Sequence, residues 1–216
     1  TNTQGSIGSG FFVSDDGLVI TNCRVISQLA LEPERQRAVL VAVDGQETPV
    51  NIVAIDVLHD LALLRVAPPK ARAAADGAAA SDAPASAPAH YAALPLRPST
   101  ASLSEGERIF SLGNPMDVGF AITEGTYNGL VQRSFYPRIF FGGALNPGMS
   151  GGPAVDDAGR VLGVNVAKRL DGEQVSFLIP AEFAQALVQR AASAQPITQA
   201  AHAEMTRQLM EHQQLL

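Results

Sequence analysis

Among the residues able to do covalent chemistry, Ser150 stands out because glycines surround it in "NPGMSGGPAVDDAGRVLGVNV", residues 146–166. A serine that attacks a carbonyl needs backbone N–H groups aimed at the oxygen that turns negative. Gly148 and Ser150 supply such a pair if the loop curls tightly, and Gly151 and Gly152 are expected to leave room for a substrate backbone beside the hydroxyl. A second reactive type, the thiol of Cys23, is the only cysteine in the chain, so an internal disulfide and a multi-cysteine zinc site are both excluded.

The elements that must hold these residues read as short strands. "SGFFVSDDGLVIT", "AVLVAVDGQETPVNIVAI" and "DLALLRV" fill the first part of the chain, with Asp16-Gly17 and Asp44-Gly45 as hairpin turns between β-prone runs. The stretch "LVITNCRVIS", 18–27, reads as the end of a strand running into a turn. Strand patterning returns in "RIFSLG", "GFAITEGTYNGLVQ", "YPRIFFGG" and "GRVLGVNVAKRLDGEQVSFLIP". The Ala, Pro, Ser and Asp-rich segment 68–98 has no face to bury and reads as a surface loop or linker. Two β-rich parts, 1–67 and 99–180, therefore flank it. "SGFFVSDDGLVITN" and "SGGPAVDDAGRVLGVN" echo each other, which suggests two similar β units in tandem.

After Pro180 the period changes to helical, with Phe183, Ala184, Leu187 and Val188 on one stripe of a C-terminal helical segment, 181–216. Ile197, Ala201, Met205 and Leu209 step by four along a second stretch, 197–216, which either docks on the body or serves self-association. The chain has 216 residues, 46% of them apolar and 17% charged, enough to bury a substantial core. Its net charge of −6 and lack of a basic cluster argue against a nucleic-acid partner, and no apolar run is long enough for a membrane span. No metal or other cofactor is implied. The opening "TNTQGSIGSG" lacks a Met or an export signal and is read as the start of a processed or trimmed product.

Taken alone, Gly148-Met149-Ser150-Gly151-Gly152 also fits the G-x-S-x-G elbow of α/β-hydrolases, which needs a strand before it and a helix after. Here Pro153 and an Asp-Asp-Ala-Gly turn lead into another strand, so that reading fails on context. The whole set "GSGFFVSDDGLVITN", "DLALLRV", "SLGNP", "ITEG", "NPGMSGGP" and "FLIPA", in that order over about residues 5–190, instead resembles a trypsin-like serine peptidase of the HtrA (Deg) type. The resemblance implies an all-β fold of two tandem six-stranded β-barrels with C-terminal helices and a cleft between the barrels. It implies Ser150 as nucleophile, Gly148 and Ser150 as oxyanion hole, and Asp60 as the carboxylate that orients the base. It also implies Ala144 at the floor of the primary pocket, suited to a small or medium apolar side chain, with Val164, Asn165 and Val166 in the wall of the substrate-binding strand. In that strand Lys168 and Arg169 read as ordinary solvated charges. A peptide or unfolded protein in the cleft and a periplasmic or envelope location follow from the same resemblance. The 35 residues after "FLIPA" are too few for a PDZ domain, so none is expected within this chain.

One residue departs from the family pattern. Where the resemblance implies a histidine as general base, the chain has Arg24. A guanidinium stays protonated and offers only donors, so it cannot take the serine proton. None of the four histidines is a comfortable substitute: His59 is expected to point away from Asp60 on a strand, His90 lies in the low-complexity loop, and His202 and His212 lie in the C-terminal segment. Cys23 would lack a base just as Ser150 does. The expected outcome is a catalytically impaired peptidase homologue in which Arg24 and Asp60 form a two-point salt bridge. The alternative is an active endopeptidase working through a Ser150 acyl-enzyme, with a base from elsewhere or a parent carrying histidine at this position.

Overall fold

Hairpin turns set the first sheet. The structure is a computed structural model and describes residues 7–32, 34–67, 90–114, 119–132, 134–170, 173–193 and 207. Strands β1 (Phe11–Phe12) and β2 (Leu18–Thr21) meet through the turn at Gly17, whose φ of 104° suits only glycine comfortably. Strands β3 (Ala38–Val41) and β4 (Glu47–Asp56) meet at Gly45 in the same way, and β5 (Leu61–Val66) follows. The five strands pair antiparallel in the order β1-β2-β5-β4-β3, an open half-barrel rather than a closed ring. β5 lies at the centre with both faces covered, which is why "LALLRV" carries a run of apolar residues instead of an alternation.

Between β2 and β3 the chain forms a helix, α1 (Cys23–Leu31), where the sequence suggested only a turn. Cys23, Ile26, Leu29 and Ala30 recur at helical spacing and are buried. Ile26 and Ala30 join Val19, Ala62 and Leu64 in one cluster on the sheet. That packing offsets the weak helix preference of the β-branched residues in the segment.

The second part closes on itself. Strands β6 (Arg108–Gly113), β7 (Ala121–Val131), β8 (Arg138–Phe141), β9 (Pro153–Val155), β10 (Val161–Leu170) and β11 (Glu173–Pro180) form a six-stranded antiparallel barrel in the order β10-β11-β8-β7-β6-β9. The β1–β2 and β9–β10 units have the same form, strand, positive-φ glycine turn, strand, so the echo in the sequence corresponds to two hairpins of like shape. Residues 90–98 run along both parts. The Leu94 N–H donates to the Phe12 carbonyl at 2.9 Å, and Leu96 bridges to Val161. Residues 68–89 and all of the second helical stretch except Arg207 lie outside the described residues.

One core spans the two parts. Ile20, Leu61 and Leu63 of the open sheet pack with Val161, Val164, Val166 and Ile179 of the barrel. Helix α2 (Ala181–Ser193) closes this core with Ala184 and Leu187, and with Phe183 and Val188 at its margin. Burial of each such side chain contributes about 1.5–3 kcal/mol, so the faces of β2, β5 and β10 are held in fixed relation. The cleft residues sit at the ends of those strands.

Candidate active site

The turn 57–60 between β4 and β5 presents Asp60 with φ of 55°, a left-handed conformation that Asp tolerates better than most side chains. Its carbonyl accepts the Cys23 N–H at 3.1 Å and the Asn22 amide at 3.0 Å, which pins the turn to the start of α1. Its carboxylate then faces Arg24. Oδ1 accepts the Arg24 backbone N–H at 3.0 Å, while Oδ2 accepts Nε at 2.6 Å and lies 2.5 Å from Nη2. The expected Arg24–Asp60 pair is therefore formed, with both guanidinium nitrogens on Oδ2 and the backbone N–H on Oδ1 rather than one nitrogen on each oxygen. Asp60 also serves as the missing cap of α1, since Asn22 makes no side-chain capping bond and a negative charge suits a helix N-terminus.

Ser150 follows a single 3-10 turn, Pro147–Met149, and is 5% exposed. Its hydroxyl accepts the Ala167 N–H at 3.0 Å and donates to the Ala167 carbonyl at 3.2 Å. Its own N–H donates to the Pro147 carbonyl at 3.1 Å. Thus one of the two expected oxyanion donors is engaged within the loop. Ser9 stitches this loop to the first sheet: its N–H donates to the Ser150 carbonyl at 2.9 Å and its hydroxyl to the Gly148 carbonyl at 2.7 Å.

The other expected site residues differ in their exposure. On the side where Gly151 and Gly152 would carry a Cβ, the space is filled by the protein's own backbone. A Cβ on Gly151 would meet the Ser9 carbonyl at 2.3 Å, and one on Gly152 the Leu112 carbonyl at 2.2 Å. The side chains of Val164, Asn165 and Val166 form no wall open to a substrate, because all three are fully buried. Val164 and Val166 belong to the shared core, and the Asn165 amide donates to the Leu112 carbonyl at 3.0 Å. Ala144, by contrast, is exposed. His59 lies on the turn rather than a strand, so alternation is not what keeps it from the serine. Its Nδ1 pairs with Asp56 at 2.7 Å and its ring stacks on Phe183 at 3.9 Å. His90 approaches Asp15 at 3.8 Å, while His202 and His212 lie outside the described residues.

Burial pushes the Cys23 thiol up to about 12, and the carboxylates of Asp60 and Asp56 add to the effect. It is a packing residue at neutral pH, not a nucleophile. Beside the Arg24–Asp60 pair opens a cavity of about 490 Å³, lined also by Tyr136, Arg138, Lys168 and Phe177. Lys168, expected to be an ordinary solvated charge, thus belongs to the site. Strand alternation held the signal, because Lys168 continues the inward row of Val164 and Val166.

The closed antiparallel barrel, the half-barrel packed against it and the serine at the junction define a trypsin-like peptidase domain. The profile of the trypsin-like peptidase domain matches residues 8–164, and the chain belongs to that family. It is similar to serine protease HTRA3 of Homo sapiens, 33% identical over 192 residues that cover 84% of this chain and 37% of the relative. The putative serine protease HhoA of Synechocystis is 26% identical over 190 residues, 83% of this chain and 41% of the relative. A probable periplasmic serine endoprotease, DegP-like, of Marinomonas is 30% identical over 192 residues, 86% of this chain and 35% of the relative. The chain spans less than half the length of these relatives. Among solved structures, that of Deg5 superposes with a TM-score of 0.65 at 26% identity, covering 85% of this chain and 82% of that one. The HtrA-type protease AlgW with decapeptide gives 0.65 at 25% identity, covering 86% and 51%.

Proposed function

We propose that this chain is a catalytically impaired serine peptidase homologue that binds peptide or unfolded protein in the cleft between its two β units. The observation that carries the reading is the Arg24 guanidinium on Asp60, with Nε at 2.6 Å and Nη2 at 2.5 Å from Oδ2. The guanidinium occupies the one Asp60 oxygen, Oδ2, left free by the backbone N–H for orienting a base, and it has no lone pair for the Ser150 proton. Ser150 stays a neutral alcohol, and loss of the base of such a triad costs on the order of 10⁴ to 10⁶ in turnover. Peptide binding is supported by the similarity to AlgW, whose structure was solved with a decapeptide. A periplasmic or envelope location is the matching proposal, from the DegP-like relatives named periplasmic. No described helix is long and apolar enough to cross a membrane.

The test is hydrolysis of casein and of a peptide panel by this chain, by Arg24→His and by Ser150→Ala, together with labelling by a fluorophosphonate probe. Equal silence of this chain and Ser150→Ala is expected. Rapid labelling of Ser150 without the Arg24 change would instead establish the active-endopeptidase reading, with a base supplied from elsewhere.

A further inference from the structure

We propose that the cavity beside Arg24 is a subsite for a carboxylate carried on an apolar or aromatic residue of an extended peptide, held by Lys168 and Arg138. The proposal rests on the peptide-binding reading above and adds to it the charge and shape of what is bound.

The charge around the cavity is positive. The chain as a whole carries −6, yet the charged residues around this cavity are Arg24, Arg138 and Lys168 against Asp60 alone. Asp60 is already spent on Arg24. No carboxylate among the described residues pairs with Arg138 or Lys168. A locally positive pocket on an acidic protein selects anions and repels the cationic side chains that the rest of the surface attracts.

Aromatic faces hold the two cations beside the cavity. Arg138 touches the phenol of Tyr136, but its Nε is buried and has no hydrogen-bond partner among the described residues. That nitrogen has no surface a ligand could reach, so what Arg138 offers the cavity is the charge of its guanidinium. The guanidinium carbon lies 4.4 Å from the Phe177 ring centre and 5.0 Å from that of Tyr136, while Lys168 Nζ lies 5.8 Å from Phe177. Those rings hold two like charges near one another without neutralising either. Burial and then the charges of Arg24 and Arg138 lower the Lys168 ammonium from its ordinary value, the state of a cation short of counter-charge.

About 490 Å³ accommodates one side chain with its carboxylate, and the rim carries Phe135 and Leu58, which are 73% and 55% exposed. An apolar body can cover those residues while the anion reaches inward. Access for an extended chain comes from β10: beyond Val164 its outer edge is bonded to Gly151 and Gly152 at Asn165 and to the Ser150 hydroxyl at Ala167, and past Ala167 no strand among the described residues pairs with that edge.

Isothermal titration calorimetry with three pairs of octapeptides tests this. Capped peptides with an internal Phe-Glu pair are compared with Phe-Gln, capped peptides with Phe-Asp with Phe-Asn, and a free carboxyl-terminal Phe with its amide. At least one acid is expected to bind roughly 10- to 100-fold tighter than its neutral partner, with the advantage shrinking in added salt. Which pair shows it tells a side-chain carboxylate from a chain end. Lys168→Gln is expected to erase most of the difference between acid and neutral partner, with an unchanged far-UV circular dichroism spectrum and melting temperature showing that the variant is folded. Arg138→Gln repeats the test from the other wall. Equal binding of acids and neutral partners, or an advantage that survives both changes, overturns the subsite and leaves peptide binding standing. If no peptide of any pair binds, both readings fall.

Discussion

Neutralising Asp60 separates a structural cation from a displaced catalytic one. The Arg24 side chain is 41% exposed and that of Asp60 18%, so the pair sits between the surface and buried limits. Exposed pairs contribute about 0.2–1 kcal/mol, whereas breaking a buried one costs about 3–5 kcal/mol. A coupling of about 1–2 kcal/mol is therefore expected from a double-mutant cycle of Arg24→Ala and Asp60→Asn. The two single changes are unequal. Asp60→Asn keeps the shape and the left-handed turn but leaves three cations around the cavity with no carboxylate, and it weakens the cap on the Arg24 N–H. Arg24→Ala leaves the carboxylate that cap and the nearby Lys168 charge. The expected costs are about 2 and about 1 kcal/mol, read from urea midpoints at constant slope. Raising the salt to about 0.5 M should shrink the coupling, because the pair is partly open to solvent. A coupling below about 0.3 kcal/mol, or one that grows with salt, would refute the claim that Arg24 is held in place by its charge.

With its thiol pushed up to about 12, Cys23 is expected to resist iodoacetamide at pH 8 in the native chain and to react at an ordinary thiol rate in urea; fast native labelling contradicts its burial. Asp56 is raised by burial but lowered further by its bonds to His59 and Arg190, so its net carboxyl value lies below the usual one. That contribution is full above the unfolded value of about 4 and is lost as pH falls through the folded one. Asp56→Asn should cost about 1–3 kcal/mol at pH 5, with the gap to the parent narrowing toward pH 2; a widening gap has the wrong sign. Gly151→Ala forces a Cβ to within 2.3 Å of the Ser9 carbonyl at a φ of 89°, and should lower stability by at least about 2 kcal/mol in thermal unfolding. An unchanged melting temperature would show that the loop yields freely.

What the sequence made legible was local or carried by a spaced motif. Asp16-Gly17 and Asp44-Gly45 do turn hairpins, and the stripe behind Pro180 does form α2. The Arg24–Asp60 bond was readable because charge complementarity outlasts the lack of geometry. Helix α1 was not, since "CRVISQLAL" carries β-branched residues and becomes helical through its contacts with Val19, Ala62 and Leu64. Nor was the cationic cavity. Its walls come from α1, the turn 57–60, the approach to β8, β10 and β11, five segments that no period in the chain connects. Gly151 and Gly152 signalled close approach, and on their Cβ side the neighbours are the Ser9 and Leu112 carbonyls, which a residue without a side chain does not by itself identify.

The departure at Arg24 is not isolated from the rest of the site. Asp60 keeps the arrangement that an orienting carboxylate needs, one oxygen on a backbone N–H and the other on the side chain at position 24. An imidazole there could use the same oxygen. Ser150 has meanwhile settled elsewhere: its hydroxyl bonds both ways with the Ala167 backbone, and its N–H bonds to the Pro147 carbonyl. To accept a base and present an oxyanion donor, the loop must give up at least two of these bonds, at about 1 kcal/mol each. The competent arrangement would then be populated about 30-fold less than the observed one, even with a histidine in place. The serine loop and the cation are thus mutually consistent. The Ser150 hydroxyl and N–H are bonded within the protein and the Arg24 Nε and Nη2 are bonded to Asp60, so neither the serine nor the cation turns those groups toward the other.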